Sequence, residues 1–115
     1  MFVNYNLEDI KSGKVSLNKE AQKEDMMLIV QSFERECIDI INWRLFEIAK
    51  TTTARVYGFE NKNNYVYMKI TSTGEVLPCY FKNHDLDGYS VFVADSINEA
   101  IRLYENSYEP KSLNL

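Results

Sequence analysis

The order of apolar patterns predicts an α+β fold with N-terminal helices, a four- to five-stranded antiparallel meander, and a C-terminal helix packed on one face of the sheet. Helical periodicity marks the first half of the chain, whereas short runs rich in Val, Ile, Tyr and Phe mark the second. The chain has 115 residues, which is the size of one domain, so we expect a single domain over residues 1–115.

The first 37 residues predict two helices. The stretch "NLEDIKSG" has Asn6 as an N-cap and Gly13 as a residue that ends a helix. A second, amphipathic helix is predicted over residues 18–37, with a start signal at Ser16 or Asn18. Its apolar face would hold Met26, Ile29, Val30, Phe33 and Cys37.

The segment "IDIINWRLFEIAKTTT" is compatible with two structures. As a helix ending near Ala49, it continues the apolar stripe, and the β-branched threonines after Lys50 disfavour any extension. As a strand, its apolar residues do not alternate cleanly, and Trp43 and Phe46 would lie at the edge of a homodimer. The helix is the favoured prediction.

Four strands are predicted in the second half, at "ARVYGFE", "NYVYMKITS", "EVLPCYFK" and "YSVFVA". The connections "NKNN", "TG" and "NHDLDG" are short, and short connections require antiparallel neighbours. Pro78 cannot donate a ladder hydrogen bond, so the third strand is predicted to be an edge strand or to carry a bulge there.

A closing helix follows the last predicted strand. Asp95 or Ser96 supplies the N-cap, and Glu99 stands three residues after Ser96, as in a capping box. The apolar stripe of this helix would hold Ile97, Ala100, Ile101 and Tyr104, and the helix is predicted to end near Asn106.

Charge and cysteine content limit the classes of function. The formal net charge is −4 and no basic stripe is present, so we expect no nucleic-acid partner. The longest apolar run, Met26 to Val30, is too short to cross a membrane, and no signal peptide is recognised, so we expect a cytoplasmic protein. Cys37 and Cys79 lie in different elements and are predicted to be buried, reduced thiols.

The candidates for chemistry are few. His84 is flanked by Asp85 and Asp87, but a metal site needs three or four converging ligands, and a loop tip is the favoured interpretation. Cys79 lies within an apolar strand, where a thiol is normally inert. No nucleophile or phosphate-loop motif occurs. We therefore expect no enzymatic activity, no cofactor and no metal.

The tyrosines give the strongest functional indication in the sequence. In the second predicted strand Tyr65, Tyr67 and Lys69 share one face, and Val66, Met68 and Ile70 share the other, which we assign to the core. Tyr65 and Tyr67 would then present an aromatic row on the outside. These two residues, with Tyr57 as a possible third, would anchor a partner, because tyrosine is enriched among interface hot spots. The alternative is that neighbouring strands half-bury these rings.

The segment "VFVADSINEAIRLY" resembles the strand-to-helix junction of the SMI1/KNR4 superfamily, with Ala94, Asp95, Ser96 and Glu99 in matching places. The resemblance extends from about Val56 to Tyr104, whereas the N-terminal pattern of that superfamily is missing from residues 1–50. Many bacterial members are immunity proteins that neutralise toxins by binding. The resemblance therefore implies binding rather than catalysis.

These observations together predict a non-enzymatic protein-binding domain, an immunity protein or small inhibitor that occludes a partner toxin or enzyme. Asp85 and Asp87 would meet basic residues of the partner, such as those of a nuclease, and speed the encounter. The alternatives are a modulator of a host enzyme encoded by a phage or mobile element, and a small-ligand-binding α+β domain with an apolar cavity.

Overall fold

The computed structural model describes residues 1–84 and 88–104, with side chains described for residues 1–82 and 91–104. In chain order the elements are β1 (Phe2–Asn6), α1 (Leu7–Ser12), α2 (Glu20–Arg35), β2 (Arg44–Lys50), β3 (Ala54–Asn61), β4 (Asn64–Thr71), β5 (Val76–His84), β6 (Gly88–Val93) and α3 (Ile97–Leu103). The six strands form one antiparallel sheet in sequence order, from β1 to β6. The predicted α+β class is confirmed, with more strands in the sheet than expected.

Local sequence explains both ends of α1 and the start of α3. The Asn6 side chain accepts a hydrogen bond from the Glu8 backbone N–H at 3.0 Å, and Gly13 ends α1 with a left-handed backbone, φ 85°. Ser96 Oγ accepts from the Glu99 N–H at 3.0 Å, as the capping pattern predicts. No helix among the described residues is long and apolar enough to cross a membrane.

The segment predicted as a helix ending near Ala49 is the strand β2, and this prediction is corrected. The register between β2 and β3 shifts between Leu45 and Glu47, so the bulge breaks the alternation that would have identified a strand. Trp43 and Phe46 are 4% and 7% exposed, and β2 lies between β1 and β3. They therefore do not form a dimer edge.

The sheet has a larger core on its helical face. The register of β3 and β4 confirms that Val66, Met68 and Ile70 face this core, and each is at most 1% exposed. The first cluster, as we call this core, also holds Ile29 and Phe33 of α2, and it extends to Ile97 and Ala100 of α3. All three helices contribute to it, so the C-terminal helix packs on the predicted face.

The opposite face carries a second cluster. Its buried members are Phe46, Val56, Tyr67, Cys79, Phe81 and Tyr104. Gly58 lies beneath two of these rings, because a Cβ at this position would come within 2.9 Å of both Phe46 Cζ and Tyr67 Cε1. A side chain at position 58 would therefore displace the rings that fill this face.

The expectation that Pro78 marks an edge strand or a bulge is corrected. β5 lies between β4 and β6, and its register with β4 continues past Pro78 without a shift. The Pro78 carbonyl accepts from the Ala94 N–H at 2.8 Å, so the polar backbone side of Pro78 faces β6. Pro78 lies opposite Ala94, the first residue after β6, so its missing N–H falls at the last hydrogen-bonded pair of that ladder.

Candidate functional site

The tyrosines predicted to anchor a partner, Tyr57, Tyr65 and Tyr67, do not form an exposed row. Tyr57 pairs with Met68 across the strands and so faces the helices, on the opposite side from Tyr67. Tyr57 and Tyr67 are both 0% exposed, and their predicted exposure to a partner is corrected. The physical reason is that both faces of the sheet carry an apolar cluster, whereas the prediction assumed one free face.

Tyr65 is the half-buried member of the predicted row. Its ring centroid lies 4.7 Å from that of Tyr104 and 5.8 Å from that of Phe46, the latter in an edge-to-face arrangement. Tyr65 therefore matches the alternative prediction, in which neighbouring residues half-bury the tyrosine rings.

Tyr57 belongs to a polar cluster that the sequence pattern did not reveal. Its hydroxyl donates to Asp25 Oδ2 at 2.5 Å, and Arg55 donates to the same carboxylate from Nε at 2.6 Å and from Nη2 at 3.0 Å. Burial and the bond to Asp25 raise the pKa of Tyr57 well above its usual value. The bond to Asp25 likewise raises the pKa of Arg55, so both donors keep their protons.

This cluster joins α2 to β3 and offers no reactive group. Asp25 is 2% exposed, and each of its oxygens accepts a hydrogen bond. A signal for its burial was present, because Asp25, Ile29 and Phe33 follow one another at four-residue spacing on one helical face. Such a buried carboxylate with two donors stabilises a fold rather than performing chemistry.

The two cysteines occupy different surroundings. Cys79 is fully buried, its Sγ lies 3.4 Å from the Leu77 carbonyl oxygen, and burial raises the pKa of its thiol to about 11. A thiol that holds its proton is a poor nucleophile. Cys37, predicted to be buried, is exposed two residues after the end of α2, with φ 59°, and this expectation is corrected. α2 ends before it, so Cys37 leaves the apolar face of the helix.

The predicted loop residues Asp85 and Asp87 lie outside the described residues, and the side chain of His84 is likewise not described. Their proposed contact with a basic partner stays a prediction. Among the described side chains, no three of the His, Cys, Asp and Glu type come together in a way that could hold a metal ion.

A concave apolar surface lies between α1 and α2. The end of α1, the α1–α2 loop and about three turns of α2 line a volume of about 490 Å³. Its apolar lining is formed by Ile10, Val15, Leu17, Met26, Met27 and Val30. Leu17, Met26 and Val30 are nearly buried and form its floor, whereas Met27 is 66% exposed. The amphipathic sequence of α2 thus buries one side and leaves a methionine at the opening.

A second concavity of about 630 Å³ adjoins the first, and the Lys11–Glu34 ion pair lines both. Lys11 Nζ lies 2.6 Å from Glu34 Oε2, and each side chain is about half exposed. The second concavity is lined by Cys37, Ile38, Ile40 and Ile41 and by polar residues of α1. Ile41 is 48% exposed. We call the two concavities together the helix groove.

Comparison of the chain with protein-family models, with curated proteins and with solved structures gives no match. The resemblance of the Val56–Tyr104 region to the SMI1/KNR4 superfamily therefore stays a prediction. The helix groove, which sequence analysis did not identify, is the candidate functional site.

Proposed function

We propose that this chain is a non-enzymatic protein-binding domain, an immunity protein or similar small inhibitor that neutralises a partner toxin or enzyme by occlusion. The observation that carries the proposal is the helix groove, with Met27 exposed in one concavity and Ile41 exposed in the other. Exposed apolar residues beside a concave apolar floor are typical of protein-binding surfaces.

The shape of the groove favours a segment of a protein over a small molecule. Lys23 and Glu34, near the two ends of the first concavity, are eleven residues apart on α2, a distance of about 16 Å at the rise of an α-helix. The second concavity continues beyond Glu34. A site for a small molecule encloses most of its ligand, whereas an elongated open groove accepts an amphipathic helix.

The groove residues also suggest how such a partner is held. Methionine side chains adapt to the shape of an apolar partner, and Met26 and Met27 are adjacent in the first concavity. The Lys11–Glu34 pair lies where the two concavities of the helix groove adjoin. Its cation and anion can bind polar groups that flank the apolar stripe of a partner helix. Asp85 and Asp87 would add electrostatic steering towards a basic partner, as part of the same proposal.

The test is affinity purification from the native host with the tagged wild-type protein and a groove variant carrying Met27→Glu and Ile41→Glu. Both side chains are exposed, so the changes spare the core. We expect the wild-type protein to retain one partner in stoichiometric amount and to inhibit that partner's activity. The groove variant should lose affinity roughly tenfold or more, which corresponds to about 1.4 kcal/mol.

Phe2→Glu is the control, because Phe2 is 54% exposed on β1, away from the groove, and gains one glutamate as each of the two groove positions does. Equal recovery of the partner by the groove variant and the control would overturn the assignment to the groove. A partner that binds without being inhibited would overturn the inhibitory function. The identity of an inhibited partner separates a toxin from a host enzyme, and so distinguishes an immunity protein from a phage-encoded modulator.

A further inference from the structure

Among the described strands, β6 is the last of the sheet and pairs with β5 alone. Ala94 donates to the Pro78 carbonyl at 2.8 Å, so the backbone polar groups of alternate residues, including Phe92, point towards β5. The backbone groups of Val91 and Val93 therefore point away from the sheet. They pair with none of the residues that the structure describes.

Within the part of the chain that the structure describes, this edge lacks the devices that normally protect edge strands. Its sequence, "GYSVFV", contains no charged residue and no proline, and its register with β5 has no bulge. Phe92 and Val93 are 37% and 54% exposed. The opposite edge differs, because the register of β1 shifts against β2 between Phe2 and Tyr5.

We propose that β6 pairs antiparallel with the β6 of a second copy of this chain, so that two six-stranded sheets join across a two-fold axis. With the axis at Phe92, Val91 of each copy lies opposite Val93 of the other. The outward N–H and C=O groups of Val91 and Val93 then satisfy one another. The two Phe92 rings meet on one face of the joined sheet, beside Tyr80, whose centroid lies 5.7 Å from that of Phe92.

The absence of charge on β6 is what favours a second copy as the occupant. A two-fold axis places like residues close together, and like charges opposite each other destabilise a strand pair. β6 carries none. The net charge of −4 opposes association only weakly at this contact, since salt screens charges beyond about 8 Å at physiological ionic strength. The helix groove involves no residue of β6, so the dimer does not depend on the proposed function.

The test measures molar mass by sedimentation equilibrium over a range of protein concentrations, for the wild-type protein, Val93→Lys and Phe2→Lys. We expect the wild-type protein to approach twice the monomer mass with rising concentration. Val93→Lys should raise the dissociation constant roughly tenfold or more by adding like charges to the strand pair. Phe2→Lys, the same class of change at an equally exposed residue of β1 outside the helix groove, should dimerise as the wild-type protein does. Far-UV circular dichroism checks that each variant is folded.

Amide hydrogen exchange identifies the surface. The Val91 and Val93 amides should become protected as the dimer forms, and a dimer that leaves them unprotected would overturn the proposal. A wild-type protein that stays monomeric at every concentration would also overturn it. So would equal dissociation constants for wild-type and Val93→Lys protein.

Discussion

The Asp25 carboxylate shows how a single buried acceptor joins two elements. Arg55 and Tyr57 lie two residues apart on β3, so both side chains reach the same face of the strand and meet Asp25 of α2. Arg55 is about one-third exposed and keeps contact with water, whereas Asp25 is 2% exposed. The carboxylate therefore depends on its two donors to compensate for its burial.

We predict that Tyr57→Phe lowers the free energy of unfolding by about 1–2 kcal/mol at neutral pH, because one hydrogen bond to a buried charge is lost. Since the pKa of Tyr57 is raised in the folded state, the hydroxyl contributes fully below pH 10. Above pH 10 the Tyr57 hydroxyl loses its proton in the unfolded chain before it does so in the folded protein. The stability difference between the wild-type protein and Tyr57→Phe therefore shrinks as pH rises.

Urea denaturation of both proteins at several pH values measures this difference. The other tyrosines titrate in both the wild-type protein and Tyr57→Phe. Their contribution to the pH dependence of stability therefore cancels in the difference between the two proteins. A difference in stability that stays constant through pH 11 would contradict the raised pKa. A difference of zero at neutral pH would contradict the stabilising role of the hydrogen bond.

At the scale of elements, Glu36 connects the end of α2 to the start of α3. Its Oε2 accepts from the Ile97 N–H at 2.7 Å, and its Oε1 accepts from the Asn98 N–H and from Asn98 Nδ2, both at 3.1 Å. The first N–H groups of a helix have no partner within that helix, and a carboxylate is favoured there. Glu36 thus completes the capping that Ser96 begins.

We predict that Glu36→Ala destabilises the protein by about 1–2 kcal/mol, the cost of losing a capping side chain. Glu24→Ala is the control, because Glu24 is exposed on the same helix and its removal should change stability by no more than about 0.5 kcal/mol. Chemical denaturation gives both values. Equal stabilities for the two variants would show that the cap from α2 contributes nothing to α3.

Elements with local signals could be predicted from the sequence, and those that depend on distant contacts could not. Asn6, Gly13 and Ser96 act within a few residues of themselves, and each takes the predicted role. The prediction for the segment that forms β2 was wrong because a bulge at Phe46 disturbs the alternation of side chains. The same limit hid the helix groove, since α1 and α2 each show an apolar face but not the space between them.

At the scale of the whole molecule, the sheet separates two apolar clusters and is shared by both. Met68 points into the first cluster, and its neighbour Tyr67 points into the second. The core face of the strands could be predicted from the sequence, because helices before and after the strands must cover one side. The face that carries Tyr67 was predicted to be exposed, because the alternation of side chains does not distinguish a covered aromatic row from an exposed one.

Because β2, β3, β4 and β5 contribute to both clusters, we predict that the two clusters unfold as one cooperative unit. Val56→Ala in the second cluster should cost about 2 kcal/mol, from the lost methyl groups and the cavity that remains. Ile29→Val in the first cluster should cost about 1 kcal/mol. Trp43, the only tryptophan, lies in the first cluster with its ring centroid 5.3 Å from that of Phe33, and so reports on that side of the sheet.

Denaturation followed by Trp43 fluorescence and by far-UV circular dichroism measures whether the two clusters are coupled. In a two-state protein both probes give one midpoint, and Val56→Ala should lower both midpoints equally although it lies across the sheet from Trp43. Ile29→Val provides the reference for a change on the tryptophan's own side. If Val56→Ala left the fluorescence midpoint unchanged while the circular dichroism midpoint fell, the clusters would be separate units. In that case the strands would not transmit stability from one face to the other.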